Sequence, residues 1–145
     1  MIAMFRHSRS RTVIAAALAS GACVALAAPA ASATTPPPGA QATCMNAAHN
    51  GYAWAEDAIS ADQAGNAAAA ATDDSTAVGY VNPVTSDCYY VNPTWIYFDI
   101  LNASGELQNA QSANTSGNTA SALSTEQSVA PVLYNVFITL FNQGP

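Results

Sequence analysis

Beyond Ala33 the chain is predicted to fold as a small up-down bundle of three or four helices carrying one disulfide. Three observations lead there. Apolar residues recur at helical spacing near both ends of the stretch 41–145, which is long enough for one small domain and no more. Only two cysteines, Cys44 and Cys88, remain beyond Ala33. No lysine or arginine follows Arg11, so ion pairs cannot hold the domain together and apolar burial must.

The segment 1–33 has the layout of an export signal. Arg6, Arg9 and Arg11 make a basic start, "TVIAAALASGACVALAAPA" supplies an apolar run, and Ala31-Ser32-Ala33 offers a small-x-small site for cleavage between Ala33 and Thr34. The run falls short of the roughly 20 residues a membrane span requires, and Pro29 interrupts it. Cys23 is a poor lipidation site, because Ser20 stands where an aliphatic residue is wanted and the run continues past it. A secreted, extracellular protein with no membrane span after cleavage is the expectation. Export also favours a Cys44–Cys88 disulfide, which on the chain-entropy model stabilises by roughly 4 kcal/mol.

All three basic side chains lie in the signal, and all 9 acidic ones lie beyond it. An acidic surface without guanidinium or ammonium groups repels phosphate backbones and anionic lipid headgroups, which argues against nucleic-acid partners. It also removes bidentate carboxylate recognition and Schiff-base chemistry from the repertoire.

The segment 34–40, "TTPPPGA", reads as a proline-rich flexible leader. From Gln41 to about Ala70 the chain is predicted helical: Cys44, Met45, Ala48, Tyr52, Ala55 and Ile59 share one face. Gly51 and Gly65 weaken that helix, and Thr72-Asp73-Asp74 looks like its solvated end. Tyr-Val-Asn-Pro then occurs twice, at 80–83 and 90–93. In the second copy Asn92 is a good N-cap with Pro93 at the first helical position, and Val91 and Ile96 match a hydrophobic staple. The first copy lacks the staple and reads as a turn. A short β-hairpin around residues 77–91 is an alternative, since "AVGYV" and "CYYV" are rich in valine and tyrosine. The helix from Pro93 has an open continuation through residues 102–118. Ser124 and Gln127 have capping-box spacing for a last helix, which Pro131 should kink. Val132, Leu133, Val136, Phe137, Leu140 and Phe141 make its core stripe. No full-length repeat stands out.

Catalytic and metal signatures are sparse. His49 is the single histidine beyond Ala33, no G-x-S-x-G elbow occurs, and no zinc ligand set or phosphate loop is present. Asp73-Asp74 lacks the ladder of a calcium loop. The chain is therefore expected to be a non-catalytic binding or cell-envelope protein with no cofactor, its partner a protein, a cell-wall component or a small molecule. One constellation points further: His49, Tyr52 and Glu56 lie together at the edge of the first helix's apolar face, where they would rim a pocket for a small apolar ligand or ligate haem. A small carboxylate-dependent hydrolase is the lesser alternative. Asn102 and Asn114 each begin an N-x-S sequon.

Overall fold

A computed structural model describes residues 36–144. The export signal, its cleavage point and the first residues of the leader lie outside the described residues. Those that follow are almost wholly helical: α1 (Ala40–Gln63), α2 (Ala67–Val81), a 3-10 turn (Asn82–Val84), a single helical turn α3 (Thr85–Cys88), α4 (Trp95–Thr115) and α5 (Thr119–Gln143). α1 packs on α2 and α5, and α4 packs on the same two, so the four long helices stand as a square with α1 and α4 on one diagonal. Short connections make sequence neighbours antiparallel. This is the expected small helical bundle.

Two of those connections are the same device. Gly65 and Gly117 adopt left-handed φ of 74° and 79°, which costs glycine little. At each, paired backbone bonds close the helix: Asn66 N–H to Ala61 and Gly65 N–H to Asp62, then Asn118 N–H to Ala113 and Gly117 N–H to Asn114. Asn66 then starts α2, its Oδ1 accepting from the Ala69 amide at 3.2 Å. The helix predicted to run to about Ala70 thus stops at Gly65, and Thr72-Asp73-Asp74 lies inside α2 instead of ending a helix.

The two turns reveal a repeat that side-chain identity conceals. The core positions Cys44, Ala48, Gly51, Ala55, Ala58 and Asp62 of α1 are matched, 52 places on, by Ile96, Ile100, Ala103, Leu107, Ala110 and Asn114 of α4. Likewise Ala70, Asp74, Ala77 and Val81 of α2 correspond to Ala122, Glu126, Val129 and Leu133 of α5. The α1–α2 and α4–α5 hairpins are two copies of one packing pattern. The disulfide fits it: Cys44 and Cys88 are bonded at 2.14 Å, and their counterparts Ile96 and Leu140 are both buried.

Several expectations change in the segment between the hairpins. There is no strand among the described residues: Ala77–Val81 is the last stretch of α2, and Cys88 closes α3, so the hairpin around 77–91 is replaced by helix and turn. The alanine run Ala67–Ala71 at the start of α2 explains why valine and tyrosine beyond it stay helical. Asn92 does not cap a helix. The Asn92–Pro93 peptide is cis, and α4 begins at Trp95 after Thr94, with no side-chain cap bond. The first copy of the tetrapeptide ends α2, with Asn82 Oδ1 accepting from Ser104 Oγ at 3.2 Å. The stretch 102–115 continues α4. α5 begins at Thr119, which places Ser124 and Gln127 inside it and leaves their capping-box spacing unused, and it extends through Pro131.

Candidate functional site

The mouth of the bundle is built where α1 begins and α5 ends. Gly39 takes φ 82° to turn the chain into α1, and Gln41 then reaches across, its Nε2 donating to the Gly144 carbonyl at 2.7 Å and the Leu140 carbonyl at 3.4 Å. That side chain satisfies carbonyls at the end of α5 that have no partner within the helix. The disulfide draws α3 against α1 at the same end, carrying the following loop with it. Between these parts lies an open cleft of about 670 Å³, walled by Pro37, Met45, Tyr90, Val91, Leu140 and Phe141. Its polar groups are the amides of Gln41, Asn92 and Gln143 and the Tyr90 hydroxyl; among the described residues, no charged one lines it. The leader is thus more than a spacer at its C-terminal end, since Pro36 and Pro37 form part of this wall.

His49, Tyr52 and Glu56 lie on the α5-facing side of α1, outside the cleft. His49 and Glu56 are exposed and Tyr52 is half-buried. The His49 ring packs against Phe137, with centroids 4.7 Å apart, and Tyr52 against Tyr134 at 5.3 Å. Phe137 in turn meets Phe141 at 5.8 Å, so an aromatic strip leads from His49 to the cleft wall. The side chains of His49, Tyr52 and Glu56 form no hydrogen bond with one another. Trp54 packs against the core as a structural contact. A second aromatic group, Tyr89, Tyr90, Tyr97 and Phe98, decorates α3 and the start of α4 with edge-on contacts of 5.2 to 5.3 Å.

At the opposite end each long helix sends one polar side chain inward: Asp62, Asp74, Asn114 and Glu126. Asn114 Nδ2 donates to Asp74 Oδ2 at 3.1 Å and to Glu126 Oε1 at 3.0 Å. Burial, aided by the neighbouring acids Asp62 and Asp73, lifts the Asp74 carboxyl to about 6 against the hydrogen bonds that favour its ionised form. Burial and the charges of Asp74 and Asp62 lift Glu126 to about 8. Both Asp62 oxygens, together with Asp74 Oδ1, Asn114 Oδ1 and Glu126 Oε2, are buried without a partner. Among the described residues, no three His, Cys, Asp or Glu side chains are gathered as metal ligands would be. Asp74, read from sequence as part of a solvated helix end, is wholly buried. Asn114, the second sequon, has its amide occupied in the core and is closed to glycosylation; Asn102 is exposed.

The disulfide was legible in the sequence, whereas the cleft and the polar centre were not. Met45, Leu140 and Phe141 already belonged to apolar stripes, and nothing local says that one end of a stripe faces an opening. The polar centre had a signal: Ala-Gly-Asn at 64–66 and Ser-Gly-Asn at 116–118 are each preceded by an Asp or Asn and followed by an Asp or Glu at matching distances. No helix of the described residues is long and apolar enough to cross a membrane. No family model, curated protein or solved structure matches the chain at a significant level.

Proposed function

We propose that this is a secreted, non-catalytic binding protein that holds a small neutral apolar molecule in the cleft at the disulfide end. The cleft itself carries the reading. About 670 Å³ is within the range of small-molecule sites, and the walls are proline, methionine, valine, leucine and aromatic side chains with a few amides to orient a guest. Charge decides the class of guest. No lysine or arginine follows Arg11, so an anionic headgroup would find no cationic side chain in the cleft wall and would meet the field of the acidic surface. Exported character rests on the signal-like segment 1–33, and the disulfide is compatible with it.

A neutral solvatochromic dye such as Nile red tests this. Its emission should rise and shift to the blue on addition of the protein, and long-chain alcohols should displace it. Leu140→Asp would disturb the core as well, so the diagnostic variant is Phe141→Asp, at an exposed position on the cleft wall. It should abolish the signal while leaving the helical circular dichroism unchanged. Undiminished dye binding in Phe141→Asp would overturn the placement.

A further inference from the structure

The four inward polar side chains at the turn end present an electrostatic problem that the chain cannot solve with a cation of its own. Asp74 and Glu126 are wholly buried, and Asp62 is 7% exposed with neither oxygen bonded. Buried carboxylates are normally paired with a cation. Here no lysine or arginine exists beyond Arg11, and His49 lies toward the other end of α1. Everything that faces the pair is acidic or neutral: Asp62 from α1, Asp73 from α2 and the amide of Asn114 from α4. Asn114 offers one N–H to each carboxyl, which orients both and cancels neither charge. Asp74 and Glu126 thus meet at one amide, and each keeps a second oxygen, Asp74 Oδ1 and Glu126 Oε2, buried with no donor, a place that a proton on either carboxyl would fill. α2 and α5 lie on a diagonal of the square, so the bridge through the Asn114 amide joins Asp74 of one hairpin to Glu126 of the other.

We propose that a single proton shared by Asp74 and Glu126 is the latch that keeps the turn end of the bundle closed, and that releasing it to solvent at alkaline pH loosens that end while the disulfide holds the other. Burial and the surrounding acids raise both carboxyls, Glu126 to about 8, so the folded state keeps a proton that the unfolded chain gives up in the ordinary carboxylate range. The stabilisation is therefore fully present in acid, declines as pH rises above that range, and is lost once pH passes through about 8. For a one-proton difference the folding equilibrium constant drops about tenfold per pH unit, at least about 100-fold between pH 5 and pH 8.

Two readouts on the intact protein test the latch. Infrared difference spectra should show the carbonyl stretch of a protonated, buried carboxyl at pH 7 that fades near pH 8 and is missing in Glu126→Gln. Denaturant midpoints should keep falling from pH 5 until pH has passed about 8 in the native chain, but level off above about pH 6 in Glu126→Gln, whose amide supplies the hydrogen without titrating while Asp74 still titrates at about 6. If that variant does not fold, Asp74→Asn, which also donates to a single remaining carboxylate, should show the same levelling. No protonated-carboxyl band at pH 7 would overturn the proposal, as would a midpoint independent of pH in the native chain. So would either folded variant retaining the native slope. Calcium or manganese restoring the pH 9 midpoint in the native chain, at constant ionic strength, would also overturn it and assign the cluster to a metal ion.

Discussion

Gly51 lies inside α1 at a close crossing with α2: a Cβ built there would come within 2.5 Å of the Val81 Cγ2 methyl and 3.4 Å of Leu133 Cδ1. Val81 is buried and β-branched, so it cannot turn one methyl away without swinging the other into its neighbours. The helix-propensity gain of Gly51→Ala, about 1 kcal/mol, is smaller than typical overpacking costs of about 1–3 kcal/mol. Gly51→Ala is expected to lower stability by about 1 kcal/mol in urea unfolding. Gly79→Ala in α2 and Gly105→Ala in α4 meet nothing within 4 Å and should raise it by up to about 1 kcal/mol. Three glycines lie inside helices, and nothing in their local sequence sets one apart. Only the crossing of two helices separates the one that must be glycine from the two that need not be. The same limit hid Asp74, whose burial depends on a neighbour in α4 that lies 40 residues away.

At the scale of elements, the repeated Tyr-Val-Asn-Pro shows how much local chemistry decides and where it stops. Both copies sit at a change of structure, as proline after asparagine suggests. Their roles are the reverse of what capping rules imply. Asn92 precedes α4 without capping it, whereas Asn82 accepts a bond from Ser104, a buried hydroxyl. Asn82→Ala should therefore cost about 1 kcal/mol, and Asn92→Ala clearly less, as measured by denaturant midpoints of the two variants side by side. The break before α5 was readable because Gly117 sits in a polar stretch, whereas the alanine run after Gly65 hid the break between α1 and α2. The connection 82–94 between α2 and α4 was not readable either, since a short 3-10 turn and a single helical turn leave no periodic pattern. Many serine and threonine hydroxyls return to a carbonyl four residues back, as Thr72 does to Ala68 and Ser112 to Gln108. Those bonds satisfy the hydroxyls within the helix, at a small cost to its stability.

The whole molecule divides its stabilising devices between two ends. The disulfide and Gln41 tie one end, where the cleft opens, and the shared proton ties the other. The bundle and its single disulfide were legible from apolar spacing and cysteine count. The duplicated hairpin register was not, because it is carried by burial and by a glycine turn while most of the side chains differ. The lack of lysine and arginine beyond Arg11 has a further consequence at this scale. Trypsin requires lysine or arginine, so the chain beyond Arg11 should resist it even when reduced and unfolded in urea, with chymotrypsin cutting freely at Tyr, Phe and Trp. Tryptic peptides ending at Arg6, Arg9 or Arg11 in secreted material would show that the segment 1–33 is retained.

The claim that this fold serves to hold an apolar guest is tested most directly by nuclear magnetic resonance of the labelled protein, titrated with decanol. A guest seated in the cleft requires saturable shifts at Met45, Val91, Leu140 and Phe141, a weaker response along the strip through Phe137 and His49, and none at Asp62, Asp74 or Glu126. Shifts centred instead on Tyr89, Tyr97 and Phe98, or no saturable shift at all, would contradict it.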